Sequence, residues 1–275
     1  MKDLTLRRPE TAISSEPLDE EKRVELQAQI DAMGPWFYDI DLPGGLQTRS
    51  KVTETHGGIH STRRSMLEDV LTAHFGTRLS DIRAIDLGCH EGYFSFVLRN
   101  LGIPDVLGID VREENLSRAR LLAKLSQQQG LRFLAANCED LADVVDERFD
   151  LTLMFGLLYH QENPIRCLRQ AAQVCQGMMI VETQVVDEID AKAEWGRRDC
   201  LLPYEGHFAL LDESVFEDNL ETGATPLALC PSPRALVTIL RHLGFPHIAT
   251  LLVPDDGNEQ FLRGKRVIVA AWRDA

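Results

Sequence analysis

The sequence predicts an α/β fold in which helices cover both faces of a parallel sheet. From residue 82 to residue 183, short apolar segments typical of buried strands alternate with longer amphipathic segments typical of helices. The first apolar segment, 83–87, runs into a glycine turn that opens a helix, and the second, 106–110, ends in an acid. This alternation indicates parallel strands, because each helix carries the chain back to the same end of the sheet.

Ahead of this core, the pattern predicts a helix, an extended segment with a turn, and a second helix. The first helix begins near Pro17 and is ended by Gly34 and Pro35. Residues 36–48 then alternate in polarity around a Pro-Gly-Gly turn, which is typical of extended chain. Ser61 is expected to cap the second helix, which carries an apolar stripe. We assign residues 1–79 to an N-terminal extension that covers the site as a lid, and residues 80–275 to the main domain.

Within the main domain, strands and helices are expected to alternate. The predicted strands lie near 83–87, 106–110, 131–135, 149–155 and 178–183, and the predicted helices near 92–101, 113–128 and 163–176, the last ended by Gly177.

The alternation of strands and helices is interrupted over residues 184–230, which we interpret as an insertion that caps the substrate. A last helix follows from Ser232, and two apolar segments, 247–253 and 266–272, complete the chain. These two segments are expected to pair antiparallel, since the loop between them is too short for a parallel crossover.

Composition narrows the classes of function. The chain has 275 residues and a net charge of −14, which disfavours binding to nucleic acid. No apolar run is long enough to cross a membrane, and the N-terminus lacks the apolar stretch of a secretory signal, so a cytoplasmic protein is expected. The six cysteines form no CxxC pair; we therefore expect reduced thiols, with neither a disulfide framework nor a metal site.

The glycine turn indicates a nucleoside cofactor that carries no phosphate. A dinucleotide site has the pattern GxGxxG, whereas here His90 replaces the middle glycine and Glu91 adds negative charge. Both changes suit a cationic cofactor such as S-adenosylmethionine. Asp86, at the end of the first strand, is expected to attract its ammonium group, and Asp110 to accept hydrogen bonds from both ribose hydroxyls.

Four segments resemble the class I S-adenosylmethionine-dependent methyltransferases: AIDLGCHEG (84–92), GIDV (108–111), NCED (137–140) and FDLTLMFGLLYH (149–160). The resemblance implies a Rossmann-like sheet of seven strands whose last strand is antiparallel. It also implies cofactor contacts along the methionine, the ribose, the adenine and the sulfonium. The residues assigned to the methionine are Gly88, Cys89 and Gly92, and Asp110 is assigned to the ribose. Val111 is assigned to the adenine, with Asn137, Cys138 and Glu139 beside its edge, and Phe155 and Gly156 are assigned to the sulfonium.

A narrower resemblance points to the branch around the tRNA wobble-uridine methyltransferase-like proteins. It is carried by residues 35–48, 156–164 and 181–186, of which the second includes a Leu-Tyr-His triplet. That branch contains tRNA enzymes as well as small-molecule enzymes, and some members use a carboxylated form of the cofactor. A basic residue facing the sulfonium would be needed for that form, and the sequence alone does not place one.

Methyl transfer is an in-line displacement, so alignment matters more than any obligatory motif. His160 is the candidate general base, because it follows a strand at the ligand-binding edge and because histidine is the usual side chain for proton transfer near neutral pH. Glu182 ends the next strand and is the candidate for orienting that histidine or binding an amine. Each of these residues could instead be structural. Aromatic and histidine side chains expected to form the lid or line the acceptor pocket are Trp36, Tyr38, Tyr159, Trp195, Tyr204 and His207.

The sequence thus predicts S-adenosylmethionine-dependent methylation of an oxygen or nitrogen on a small metabolite. One alternative is a tRNA wobble-uridine-type methyltransferase, whose activity would fall steeply with salt. A second is a regulatory module that binds S-adenosylmethionine without catalysis, and a third is a nicotinamide oxidoreductase. The acceptor and the oligomeric state are left open.

Overall fold

The computed structural model describes residues 19–51, 54–194, 201–214 and 222–274. Trp195, one of the predicted pocket residues, lies outside these ranges, as does the predicted start of the first helix.

The helices and strands follow the predicted order. The helices are α1 (Glu20–Ala32), α2 (Glu54–Phe75), α3 (Tyr93–Asn100), α4 (Glu113–Leu125), α5 (Leu141–Val144), α6 (Pro164–Val174), α7 (Pro233–His242) and α8 (Glu259–Leu262). The strands are β1 (Asp41–Leu42), β2 (Leu46–Gln47), β3 (Arg83–Leu87), β4 (Asp105–Asp110), β5 (Leu131–Ala135), β6 (Phe149–Phe155), β7 (Cys175–Gln184), β8 (Lys192–Glu194), β9 (Leu201–Pro203), β10 (Phe208–Asp212), β11 (Leu227–Pro231), β12 (His247–Thr250) and β13 (Arg266–Trp272).

Seven strands form one mixed sheet in the order β12-β13-β7-β6-β3-β4-β5. The five strands from β3 to β7 are parallel, and β13 runs antiparallel to both of its neighbours. The predicted Rossmann-like sheet with an antiparallel last strand is therefore confirmed. Because chain order reverses beside β3, the carboxyl ends of β3, β4 and β6 leave a crevice, which is where such sheets bind ligands.

Apolar side chains cover both faces of the sheet. One face packs against α5, α6 and α7 through residues such as Leu168, Leu236 and Leu240, which are fully buried. The other face packs against α2 and α3 through Leu67, Leu71 and other aliphatic side chains. Central strands buried on both faces explain why their sequences read as continuous apolar runs.

The N-terminal extension is fastened to the core by one buried carboxylate. Glu91, in the glycine turn, is fully buried and accepts hydrogen bonds of 3.0 and 3.1 Å from the backbone N–H groups of Phe37 and Tyr38. Arg118 of α4 lies 3.8 Å from it and donates to the carbonyl of Met33. Glu91 therefore faces the extension and does not line the cofactor crevice, which corrects the electrostatic role that the sequence suggested for it.

Two local predictions were wrong. Helix α2 begins at Glu54, seven residues before Ser61, whose hydroxyl donates to the carbonyl of Gly58 within the helix. Gly177 does not end α6 but lies in β7, where a Cβ atom would stand 2.5 Å from the carbonyl oxygen of Asp150. Glycine is required at position 177 by the close approach of β6, and not by a helix cap.

The cysteines also depart from expectation. Cys138 and Cys167 form a disulfide with their Cα atoms 5.3 Å apart. The pair joins the loop after β5 to helix α6, and its partners are 29 residues apart in the chain. No sequence spacing signals such a bridge, because the contact depends on how β5 and α6 pack.

The described part of the insertion forms two antiparallel hairpins, β8-β9 and β10-β11. Strand β11 contacts the turn after β6, where the Leu229 N–H donates to the carbonyl of Gln161 at 2.9 Å. The insertion thus reaches the edge of the sheet where the crevice lies. No helix among the described residues is both long and apolar enough to span a bilayer.

Replacing Glu91 by alanine should strongly destabilise the fold. The change leaves Arg118 buried without this carboxylate and two backbone N–H groups without an acceptor, which costs about 3–5 kcal/mol. Thermal unfolding followed by calorimetry measures the loss. Glu114→Ala is the matched control, because Glu114 also pairs with Arg118, at 2.8 Å, but is 64% exposed, so its loss should cost at most about 1 kcal/mol. Equal destabilisation by the two variants would contradict the anchoring role of Glu91.

Candidate functional site

The crevice at the carboxyl ends of β3, β4 and β6 is a pocket of about 770 Å³, its open mouth included. Predicted site residues that line it are Gly88, Asp110, Val111, Asn137, Cys138, Glu139, Gly156 and His160. Lining residues that the sequence analysis did not assign are His90, Ile109, Arg112, Ala136, Leu157, Gln161, Glu162, Thr222, Gly223, Ala224 and Thr225.

At the glycine turn, backbone without a side chain forms part of the pocket wall. Gly88 has a φ of 72°, and a Cβ atom there would lie 3.1 Å from the Leu157 side chain. The N–H groups of Gly88 and Cys89 both donate to the carbonyl of Ile109, at 2.8 and 2.9 Å. These bonds tie the turn to the end of β4, so the ends of β3 and β4 form one rigid wall.

Asp110 connects that turn to the start of α4. It is 7% exposed, and its carboxylate accepts from the N–H of His90 at 3.0 Å and from the N–H of Arg112 at 2.8 Å. Burial raises the pKa of Asp110, while these backbone hydrogen bonds and the Arg112 charge oppose the rise. The carboxylate lines the pocket and has lone pairs left for a ligand hydroxyl.

The opposite wall is the loop after β5. The Asn137 side chain accepts a hydrogen bond from the Glu139 N–H at 3.0 Å and so caps a short turn. The Glu139 carboxylate accepts a hydrogen bond from the Asn163 side-chain amide at 3.1 Å. The disulfide holds Cys138 on this loop. The two walls of the pocket therefore carry fixed polar groups on either side of its open space.

Asp86 lies behind the pocket rather than in its wall. Its carboxylate is 2% exposed and accepts from the Ser95 hydroxyl at 2.6 Å. Burial raises the pKa of Asp86 to about 7, although the hydrogen bonds from Ser95 lower it and the Asp110 charge raises it further. Among the other predicted cofactor residues, Cys89, Gly92 and Phe155 also stand outside the pocket lining, and Phe155 packs on Phe94 with ring centroids 4.9 Å apart.

His160 stands in the pocket with an acid behind it. Its Nδ1 atom lies 2.6 Å from an oxygen of Glu213, which comes from the end of β10 in the insertion. The sequence had suggested Glu182 as the orienting acid, but Glu182 contacts no histidine ring. The partner of His160 is supplied 53 residues further along the chain.

Glu182 is instead the centre of a buried charge cluster. It is fully buried and pairs with Arg63 at 2.8 Å and with Arg266 at 3.0 Å. Arg266 donates to the Tyr159 hydroxyl at 3.2 Å and stands over its ring. Arg63 does not line the pocket but lies next to a residue that does, since a Cβ atom on Gly156 would lie 3.3 Å from its guanidinium.

The predicted lid residues take different places. Trp36 is buried in the extension, where its indole N–H donates to the carbonyl of Ile30 at 3.0 Å. Tyr38 is also buried and stacks on Tyr93, and its ring centroid lies 5.8 Å from that of the pocket residue His90. The extension therefore reaches the pocket through His90 rather than by covering the pocket opening.

Tyr204 and His207 belong to the loop between β9 and β10. Tyr204 is exposed, whereas His207 is half-buried and its backbone N–H donates to the Ser232 hydroxyl at 3.3 Å. Neither lines the pocket. Part of the insertion does reach it, through residues 222–225, which no sequence signal marked.

Comparison with known proteins agrees with this geometry. Residues 79–208 match the family model of a methyltransferase domain. A tRNA U34 carboxymethyltransferase of Dichelobacter nodosus is 32% identical over 114 residues, which are 41% of this chain and 36% of that protein. A ubiquinone biosynthesis O-methyltransferase of Neisseria meningitidis is 29% identical over 103 residues, covering 37% of this chain and 43% of the relative. The chain thus spans less than half the length of these two relatives.

Among solved structures, the N-terminal domain of EvdMO1 with SAH bound matches 92% of this chain and 97% of its own length. The TM-score is 0.68 and the sequence identity 20%, so this likeness bears on the fold alone. Residues 79–208 thus match a methyltransferase domain, and the chain is similar in sequence to the tRNA U34 carboxymethyltransferases and in fold to an SAH-bound protein.

Proposed function

We propose that this protein transfers a methyl group from S-adenosylmethionine to an oxygen or nitrogen of a small molecule. The observation that carries the proposal is the charge of the pocket, whose wall presents three carboxylates and one guanidinium. These groups are Asp110, Glu139, Glu162 and Arg112. Such a wall favours a cationic ligand and disfavours a pyrophosphate, which would meet repulsion instead of the usual anion-binding helix start.

The pocket residues fit the cofactor. Asp110 stands where a carboxylate can hold a ribose, and Gly88 gives the close backbone approach that the methionine portion needs. Asn137 and Glu139, on the opposite wall, suit the polar edge of the adenine. When bound, the cofactor supplies an electrophilic methyl group on a sulfonium centre.

His160 is the group in the wall best suited to remove a proton from the acceptor. A neutral imidazole with a free ring nitrogen can take the proton of a hydroxyl as the oxygen attacks, or the proton of an ammonium before its nitrogen attacks, a contribution of about 10²–10⁴-fold. The chain's other task is alignment, which the rigid turn and the capped loop provide.

A small acceptor is favoured over RNA by charge. The net charge is −14, and the arginine side chains near the pocket are already engaged: Arg166 pairs with Asp140 at 2.8 Å, and Arg112 donates to a loop carbonyl. Among the residues that the structure describes, a polyanion would therefore find few arginine side chains without a protein partner at the pocket mouth.

To test the donor and acceptor classes, the protein is incubated with methyl-labelled S-adenosylmethionine and either a panel of hydroxyl- and amine-bearing metabolites or bulk tRNA at two salt concentrations. Label transferred to a small molecule, with no salt-sensitive labelling of tRNA, supports the proposal. Labelling of tRNA that falls steeply with salt would show instead that the acceptor is an RNA. Binding of the cofactor without transfer to any acceptor would favour a regulatory module.

A second candidate is carboxymethyl transfer from a carboxylated form of the cofactor. Two guanidiniums, Arg63 and Arg266, surround the single carboxylate of Glu182, so the buried cluster has one positive charge in excess. The Nε atom of Arg63 is buried without a hydrogen-bond partner, and this guanidinium lies next to Gly156, a residue of the pocket wall. An added carboxylate on the transferred group would satisfy both the charge and the free donor.

Asp110→Asn should weaken the binding of S-adenosylhomocysteine by about 10- to 100-fold, because a charged acceptor contributes about 1.5–3 kcal/mol more than water does. Isothermal titration calorimetry measures the change without turnover. Glu113→Gln serves as the control, since this side chain is exposed on α4 and should leave the affinity unchanged. An Asp110→Asn protein that binds as tightly as the parent would contradict the ribose role.

His160→Gln should lower kcat by about 10²–10⁴-fold and leave the affinity for S-adenosylhomocysteine unchanged, since the ring acts on the acceptor proton. Steady-state kinetics with an acceptor found in the panel, together with calorimetry, separate the two effects. His242→Gln, on the exposed end of α7, is the control and should keep parental kcat. Parental turnover by His160→Gln would remove this residue from the chemistry.

The second candidate predicts that the parent protein binds carboxylated S-adenosylmethionine more than about 10-fold tighter than S-adenosylmethionine, through charge-assisted hydrogen bonds. Competition calorimetry compares the two, and Arg63→Met should abolish the preference. Arg64→Met is the matched control, because Arg64 is exposed and pairs with Glu68. Equal affinity of the parent for both cofactors would exclude this candidate.

A further inference from the structure

The described part of the insertion places one acid, Glu213, against the pocket residue His160. The imidazole Nδ1 and Glu213 Oε1 are 2.6 Å apart, and the two side chains are 17% and 9% exposed. His160 ends the short turn after β6, and Glu213 follows β10. Two separate segments of the chain therefore meet at one hydrogen bond beside the cofactor pocket.

Glu213 is held from the side away from the histidine. Its second oxygen, Oε2, accepts from the Gly223 N–H at 2.8 Å, and its own N–H donates to the carbonyl of Pro226 at 2.6 Å. A side chain at position 223 has no room, since a Cβ atom would lie 2.3 Å from the His160 carbonyl oxygen. The loop 222–226 thus wraps closely over both members of the pair.

The same loop is attached to the cofactor side of the pocket. Arg112, two residues after the proposed ribose acid, donates to the carbonyl of Thr222 at 2.6 Å. The carboxylate of Glu213 is therefore fixed by the loop, and the loop is fixed by the strand end that would hold the cofactor.

We infer that Glu213 is the positioning residue that holds the His160 imidazole with its proton on Nδ1 and its Nε2 free to act as a base. An ionised carboxylate only accepts hydrogen bonds, so the nitrogen facing it must carry a proton. Burial alone would raise the pKa of Glu213, but the hydrogen bonds from His160 and Gly223 lower it overall, which keeps the carboxylate ionised. The inference rests on the proposed role of His160 as the base.

The proton balance of the step follows. The acceptor lone pair forms a bond to the methyl carbon, the carbon–sulfur bond breaks, and its electron pair stays on sulfur. The acceptor proton moves to His160 Nε2, giving an imidazolium whose positive charge the Glu213 carboxylate stabilises. The imidazolium then loses that proton to water, which restores the starting state.

Glu213→Gln provides a sharp test, because it keeps the shape of the side chain and replaces one acceptor oxygen by a donor NH₂ group. The half-buried Gly223 N–H keeps its acceptor if the amide oxygen takes that bond, and the amide NH₂ then faces Nδ1. Nδ1 must then be unprotonated, which moves the ring proton to Nε2 and removes the base. Glu213→Ala directs no donor at the imidazole and leaves both neutral tautomers of His160 accessible.

The principal measurement is the ¹⁵N NMR spectrum of the His160 ring in the protein bound to S-adenosylhomocysteine, identified by its loss in His160→Gln. The neutral ring should carry its proton on Nδ1 in the parent and on Nε2 in Glu213→Gln. A neutral ring with its proton on Nε2 in the parent would overturn the inference, even if cofactor binding and turnover are intact and the proposed function stands.

Kinetics provide the second measurement. Glu213→Gln should lose about 100-fold or more in kcat, with KM and S-adenosylhomocysteine affinity little changed. Glu213→Ala should lose less kcat although it lowers the melting temperature more, an order that a purely structural role would reverse. Asp212→Asn, an exposed neighbour on β10, is the control and should retain parental kcat. A Glu213→Gln protein with parental kcat, or one less impaired than Glu213→Ala, would overturn the inference.

Discussion

The buried carboxylate of Asp110 is the interaction on which the cofactor edge depends. It accepts one backbone N–H from the glycine turn after β3 and another from the start of α4. A carboxylate with only 7% exposure costs free energy unless such donors surround it. The arrangement therefore fixes the two strand ends relative to each other and leaves lone pairs directed at the pocket.

Two additions to the common sheet are attached by the same device. Glu91 receives two backbone N–H groups of the N-terminal extension, and Glu213 receives one from the insertion loop as well as the ring of His160. A carboxylate accepts several hydrogen bonds at once, so one side chain can fix a segment that has little apolar surface of its own. In the extension the result is structural, while in the insertion it sets the state of the proposed base.

Much of the fold could be predicted because it depends on local patterns. The strands β3 to β6 were located within one residue, since buried parallel strands read as short apolar runs between glycine and proline signals. The start of α2 was missed because Ser61 resembles a cap, whereas the helix already begins at Glu54, seven residues earlier. The placement of Gly177 was wrong because close packing against β6, and not a helix end, requires the glycine.

The site was predictable only where it follows the sheet. Asp110, Gly88 and His160 stand at strand ends, so periodicity locates them at the pocket. Glu213 and Arg63 could not be found in this way, because they come from segments whose approach to the pocket is decided by tertiary packing. The sequence offered a carboxylate at the end of β7 for His160, but two arginines already neutralise Glu182.

The most direct test of the central claim is a calorimetric titration of the protein with S-adenosylhomocysteine and, separately, with a nicotinamide dinucleotide. A pocket shaped for a phosphate-free donor should bind S-adenosylhomocysteine at one site per chain and give no heat with the dinucleotide. Saturable binding of the dinucleotide, with none of S-adenosylhomocysteine, would contradict the assignment of this pocket.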